Sequence, residues 1–129
     1  MVMFHFNGPQ CLQPSSCPEG LHYYFDYVAE TEFSIPDVSS LLNATYSCRI
    51  TRGGSGRNRT FFSVNNFLNI PSEATAPTIN AISSLKSRID ACTAFNGGID
   101  VSFLYIDHWN VGDVLDYARA YNQGLGGSV

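Results

Sequence analysis

Four short segments of this chain are almost uninterruptedly apolar, and the helical patterns between them constrain its fold more than any other feature. The segments are Val2–Phe6, His22–Val28, Thr60–Val64 and Val101–Ile106, each rich in aromatic or β-branched residues. A strand with one wet face alternates apolar and polar residues, whereas a strand covered on both faces reads as a continuous apolar run. The clearest helical pattern runs from about Pro77 to Phe95. There Ile79, Ile82, Leu85, Ile89 and Cys92 recur at helical spacing, with Lys86, Arg88 and Asp90 on the opposite side. Thr75 is placed to cap it, Pro77 sits in its first turn and Gly97-Gly98 ends it.

A second helix is expected from about Val111 to Asn122, capped by Asn110 and stopped by Gly124, with Val111, Val114, Leu115, Ala118 and Tyr121 as its stripe. A shorter turn is expected after Pro36, through Val38, Leu41 and Leu42. The order β, loop, β, short α, β, α, β, α predicts an α/β fold of βα units with right-handed crossovers and a mostly parallel sheet. At 129 residues the chain suits one domain, expected over residues 1–123, with Gly124–Val129 as a flexible Gly-rich tail.

The four cysteines read as two disulfides and an oxidising compartment. A local Cys11–Cys17 bridge would stiffen the connection from Asn7 to Gly20, which has no helical pattern. Cys48 and Cys92 are then left to pair, fastening the loop after the short helix to the long one. Zinc is the rival reading. Cys11 and Cys17 are six positions apart, too wide for the usual C-x(2–4)-C ligand spacing, and no His pair is suitably placed, so neither a metal nor another cofactor is expected. The sequons Asn43-Ala44-Thr45 and Asn58-Arg59-Thr60 add to the expectation of a secreted, extracellular glycoprotein.

No apolar run approaches the ~18 residues of a membrane span. The first residues, Met1–Phe6, lack the basic and long apolar regions of a signal peptide, so the start reads as that of a mature chain. Seven Lys and Arg against eleven Asp and Glu give a formal charge of −4, which argues against nucleic acid as a partner. The stretch Arg52–Arg59, RGGSGRNR, is either an anion or partner contact or, more ordinarily, a solvated loop carrying a glycan.

Four motifs lie in order along the chain: LHYYFDYVAETEF at Leu21–Phe33, FFSVNNFLN at Phe61–Asn69, SLKSRIDAC at Ser84–Cys92 and FLYIDHWNVGDV at Phe103–Val114. Together they resemble the latter part of the secreted fungal and bacterial PLC-like phosphodiesterases. The resemblance implies a half-barrel, with the four strands standing as strands five to eight of a (β/α)8 barrel. It also implies a loss. The family's acid/base histidines and metal-binding carboxylates come from the first four strands, and 129 residues fall far short of the ~250 of a typical barrel. Candidate ligand-facing residues are then those expected at the strand ends: Asp26, Tyr27, Asn65, Asn66, Asp107, His108 and Trp109. By the same resemblance, Asp107 would orient a histidine of the missing half and Asp26 would touch a polyol headgroup.

Phosphodiester transfer needs a base, an acid and cationic stabilisation of the phosphate. His5 and His22 lie in or beside strands, where packing is the commoner role, and His108 alone follows a carboxylate at a strand end. Side chains of neighbours on a strand diverge, so Asp107-His108 makes a poor pair. No catalysis is expected. The expected function is that of a small secreted protein binding a protein receptor or a carbohydrate. A taste-active, sweet protein of the truffle type is one form such a binder takes. The alternative is a fragment or small subunit of a phosphodiesterase. A sheet cut from a barrel also bares aromatic residues of YYFDY and FLYID, and homodimerisation through that face or an edge is the expected remedy.

Overall fold

The computed structural model describes residues 3–5, 18–53 and 60–124. Strand β1 (Met3–His5) pairs in parallel with β2 (Leu21–Tyr23), forming a two-stranded sheet. A four-stranded sheet follows, built from β3 (Val28–Thr31), β4 (Ile50–Arg52), β5 (Phe61–Asn66) and β6 (Phe103–Ile106) in the order β4-β3-β5-β6. The pairs β3–β5 and β5–β6 are parallel, and β4 adds an antiparallel edge. The fold is therefore mixed α/β with a mostly parallel sheet, and its parallel strands lie in chain order.

The register separates two faces. Ala29, Phe62, Val64, Leu104 and Ile106 pack beneath α3 (Ala44–Ser47), α5 (Ile82–Phe95) and α6 (Val114–Asn122), meeting Leu85, Ile89, Cys92 and Tyr117. On the other face stand Val28, Glu30, Phe61, Ser63, Asn65, Phe103 and Tyr105. A second apolar cluster of Ile35, Leu41, Leu68 and Ile79 underpins α2 (Val38–Leu42) and α4 (Ala76–Ile79). The Cys48–Cys92 disulfide, with Cα atoms 4.9 Å apart, fastens the end of α3 to α5 as expected from the sequence. Cys11 and Cys17, the sequon Asn58, most of the Gly/Arg-rich stretch and Gly-rich residues 125–129 lie outside the described residues.

Four expectations need correction. The segment His22–Val28 is not one strand. A helical turn, α1 (Tyr24–Tyr27), interrupts it and carries the buried Tyr24 towards the inner face. There the Tyr24 hydroxyl lies 3.2 Å from that of Tyr105 and its ring 6.3 Å from Phe103. Burying so large an aromatic outweighs the local strand preference.

The long helix is two helices, broken at Asn80–Ala81, where Ala81 turns extended. The first free N–H of α5, on Ile82, is met from far along the chain by Asp113 Oδ2 at 2.9 Å. Asp113, rather than Asn110, holds the cap position of the last helix, which begins at Val114.

Arg88 does not face solvent. It is 4% exposed and donates to the carbonyl oxygens of Leu41 (2.8 Å) and Asn65 (2.6 Å) and to Ser47 Oγ (2.5 Å). Desolvation lowers its pKa to about 10.

Candidate functional site

In a parallel sheet, ligand groups gather beyond the carboxyl ends of the strands, because the loops there are free to vary over a rigid scaffold. In this chain the C-terminal ends of β3, β5 and β6 frame a cleft of about 260 Å³ lined by Glu30, Arg52, Asn65, Phe67, Tyr105, Ile106 and Asp107. Glu30 stands on the inner face of β3, directly opposite Arg52 of the edge strand, and the two form an ion pair. Glu30 is 1% exposed, and its Oε1 also accepts from Asn65 Nδ2 at 2.8 Å, while Oε2 has no hydrogen-bond partner among the described residues. The Arg52 guanidinium is held against the rings of Phe33 (4.0 Å) and Phe25 (5.0 Å). Thr31 fixes this corner through two hydrogen bonds. Thr31 Oγ1 accepts from Asn65 N–H at 3.0 Å, and the Thr31 carbonyl accepts from Asn65 Nδ2 at 3.1 Å.

The backbone leaves β4 through Gly53 (φ +70°), where a Cβ would fall 1.9 Å from the Val28 carbonyl oxygen. No other residue fits that approach.

Of the sequence candidates, Asn65 and Asp107 reach this cleft. Asp107 lies just past β6. Its carbonyl accepts from Asn80 Nδ2 at 3.1 Å, while its carboxylate accepts no hydrogen bond among the described residues. Asn66 points to the helix layer, where its Nδ2 donates to the Ile79 carbonyl (3.2 Å) and to Asn80 Oδ1 (3.3 Å). Asp26 and Tyr27 do not belong to the site. They sit in the turn that enters β3 at its N-terminal end, with Tyr27 edge-on to His22 at 5.1 Å. His108 is half-buried in a left-handed conformation (φ 52°) and does not line the cleft. Trp109, on the same loop, is 61% exposed.

Sequence reasoning missed Glu30, Arg52, Tyr105 and Asn80. A glutamate directly following the apolar YVA of YVAETEF was a signal for the first, since a carboxylate in a buried strand needs a partner. Arg52 was read as part of a solvated loop, although an edge strand carries it. Asn80 had no signal at all. It is fully buried and its Nδ2 donates to the carbonyls of Asp107, His108 and Val111 at 3.1–3.2 Å, fixing the loop that presents Asp107 and Trp109.

The arrangement can accept hydrogen bonds and hold a ligand. Burial raises the Tyr24 phenol above its ordinary pKa. No group of three or more His, Cys, Asp or Glu suited to a metal occurs among the described residues. No helix among them is long and apolar enough to cross a membrane. No protein-family model, curated protein or solved structure matches the chain.

Proposed function

We propose that this chain is a secreted, non-catalytic binding protein whose scaffold resembles the later half of a PLC-like phosphodiesterase barrel and whose ligand enters the cleft at Asn65 and Asp107. The observation that carries this reading is the state of the cleft's polar groups. Glu30, Arg52 and Asn65 bind one another, and Asp107 is the cleft residue whose carboxylate receives no hydrogen bond at either oxygen among the described residues. A single carboxylate without an acid partner or an available cation suits recognition better than phosphoryl transfer. Parallel strands in chain order, β3-β5-β6, are what a barrel segment requires. Secretion is supported by the Cys48–Cys92 bridge and by exposed Asn43. The Asn43 Oδ1 accepts from Thr45 N–H (3.1 Å) and Oγ1 (2.7 Å), leaving Nδ2 for a glycan. A protein receptor, taste receptors included, or a carbohydrate is the partner class this reading carries forward.

Trp109, the only tryptophan of the chain, lies two residues from Asp107 and reports on the cleft. A ligand of this site changes Trp109 fluorescence saturably, and Asp107→Ala abolishes the change. An unaltered titration in that variant removes the cleft from the proposal.

On the inner face of the sheet Val28, Glu30, Ser63 and Asn65 are buried, while the aromatic residues Phe61, Phe103 and Tyr105 stay half-buried and keep homodimerisation through that face in the proposal. The other surface open to it is the outer edge of β6, beside a cavity of about 250 Å³ bounded by Val101, Leu104, Tyr117 and Tyr121. The same edge favours the second reading, a small subunit that docks on a separate chain carrying the remaining strands. Light scattering at micromolar concentration returns twice 14.2 kDa for a homodimer, and a monomer mass rejects it.

A further inference from the structure

We propose that the cleft at Asn65 and Asp107 takes a primary ammonium group, and that it discriminates against phosphate esters. The inference rests on the cleft being the binding site, and it adds the chemistry of the ligand. Its lining carries two carboxylates, Glu30 and Asp107, against one guanidinium, Arg52, for a formal balance of −1. Among the described residues the cleft's one guanidinium is paired with Glu30 and stacked on Phe25 and Phe33, with only its buried Nε unmet, so an incoming phosphate meets no cation there that is free of a carboxylate. Acceptors, by contrast, are left over. Glu30 Oε2 is buried with no donor, and neither Asn65 Oδ1 nor the Asp107 carboxylate receives a hydrogen bond among the described residues. Leaving Glu30 Oε2 buried and unmet is unfavourable, and a ligand that only donates relieves it.

A primary ammonium has three donors and no acceptor, which matches this set. A quaternary ammonium has no donor and does not. The flanking faces of Phe67 and Tyr105 suit the methylenes and the charge of an alkylammonium. At about 260 Å³ the space is below the roughly 300–1,000 Å³ of drug-sized pockets, so one ammonium head and a short stem fill it. Such a head is offered by a free amine or by a lysine side chain of a partner protein.

The test is a ¹⁵N-HSQC titration of the whole chain with propylammonium, Nα-acetyl-lysine methylamide, tetramethylammonium, glucose and inorganic phosphate in separate arms. Propylammonium or the lysine derivative is expected to move the Asn65, Tyr105 and Asp107 amides with a dissociation constant on the order of 1 mM, the tighter of the two identifying the source. Asp107→Asn, whose side chain makes no contact that folding needs, is expected to weaken this about tenfold. Phosphate, glucose or tetramethylammonium moving the same amides more strongly than the primary amines overturns the ammonium assignment while leaving the cleft as the site. Unchanged affinity in Asp107→Asn overturns it as well. Silence of these amides in every arm removes the cleft itself, and the inference falls with it.

Discussion

Asn80 and Tyr117 are both buried polar residues, and they stand in opposite situations. Every hydrogen on the Asn80 amide is used, and its Oδ1 accepts from Asn66, so one side chain joins β5, the helix break and the loop after β6. Gly112 completes the fit, because a Cβ there would lie 2.8 Å from the Asn80 carbonyl oxygen at φ +87°. Asn80→Ala strands three loop carbonyls and is expected to cost about 3 kcal/mol in urea unfolding. Tyr117 is 2% exposed and its hydroxyl has no partner among the described residues. Tyr117→Phe is therefore expected to leave stability at pH 7 unchanged or raise it by about 1 kcal/mol.

The same substitution has a pH signature. Burial pushes the Tyr117 phenol up to about 12 from 10.0, so its share of stability is complete below pH 10 and is lost as pH climbs towards 12. Arg88, lowered from 12.5 to about 10, acts oppositely, because the unfolded chain holds that proton more tightly and stability gains with pH in the window. Tyr117→Phe removes only the first contribution. Its stability relative to the parent chain should rise between pH 10 and 12 in chemical-denaturation curves.

At the scale of elements, the disulfide joins α3 to α5 across 44 residues of sequence. Closing a loop of that length constrains the unfolded chain by about 4 kcal/mol, and the double variant Cys48→Ala/Cys92→Ala is expected to lose most of it in urea unfolding. The pairing followed by elimination, because Cys11 and Cys17 lie close enough in sequence for a local bridge and leave Cys48 and Cys92 to each other. The strands β5 and β6 were legible for a similar reason: apolar runs bounded by polar turns leave little choice. Other elements depended on contacts distant in sequence. The turn at Tyr24–Tyr27 exists because Tyr24 finds Tyr105 and Phe103 some eighty residues on. The break before α5 is stabilised by Asp113, which no local propensity reveals. Arg88 looked polar-facing because helical periodicity assigns a side and not a set of acceptors. The site was half legible. Asn65 and Asp107 followed from strand ends, whereas Glu30 and Arg52 required the antiparallel edge strand that pairs them.

As a whole molecule, the chain answers the problem of a sheet with two faces by using itself. Helices cover one face, and the turn at Tyr24–Tyr27 brings an aromatic side chain onto the other. What remains open is the cleft at the carboxyl ends of the strands, where Asp107 stands without an acid–base partner among the described residues. The central claim, that this cleft binds and does not hydrolyse, is read in one ³¹P NMR experiment. The purified chain is incubated with a phosphodiester such as phosphatidylinositol in mixed micelles, and product resonances are followed against Asp107→Ala. The account predicts no product above that of the variant. Turnover in the parent chain that falls a hundredfold or more in Asp107→Ala would contradict it.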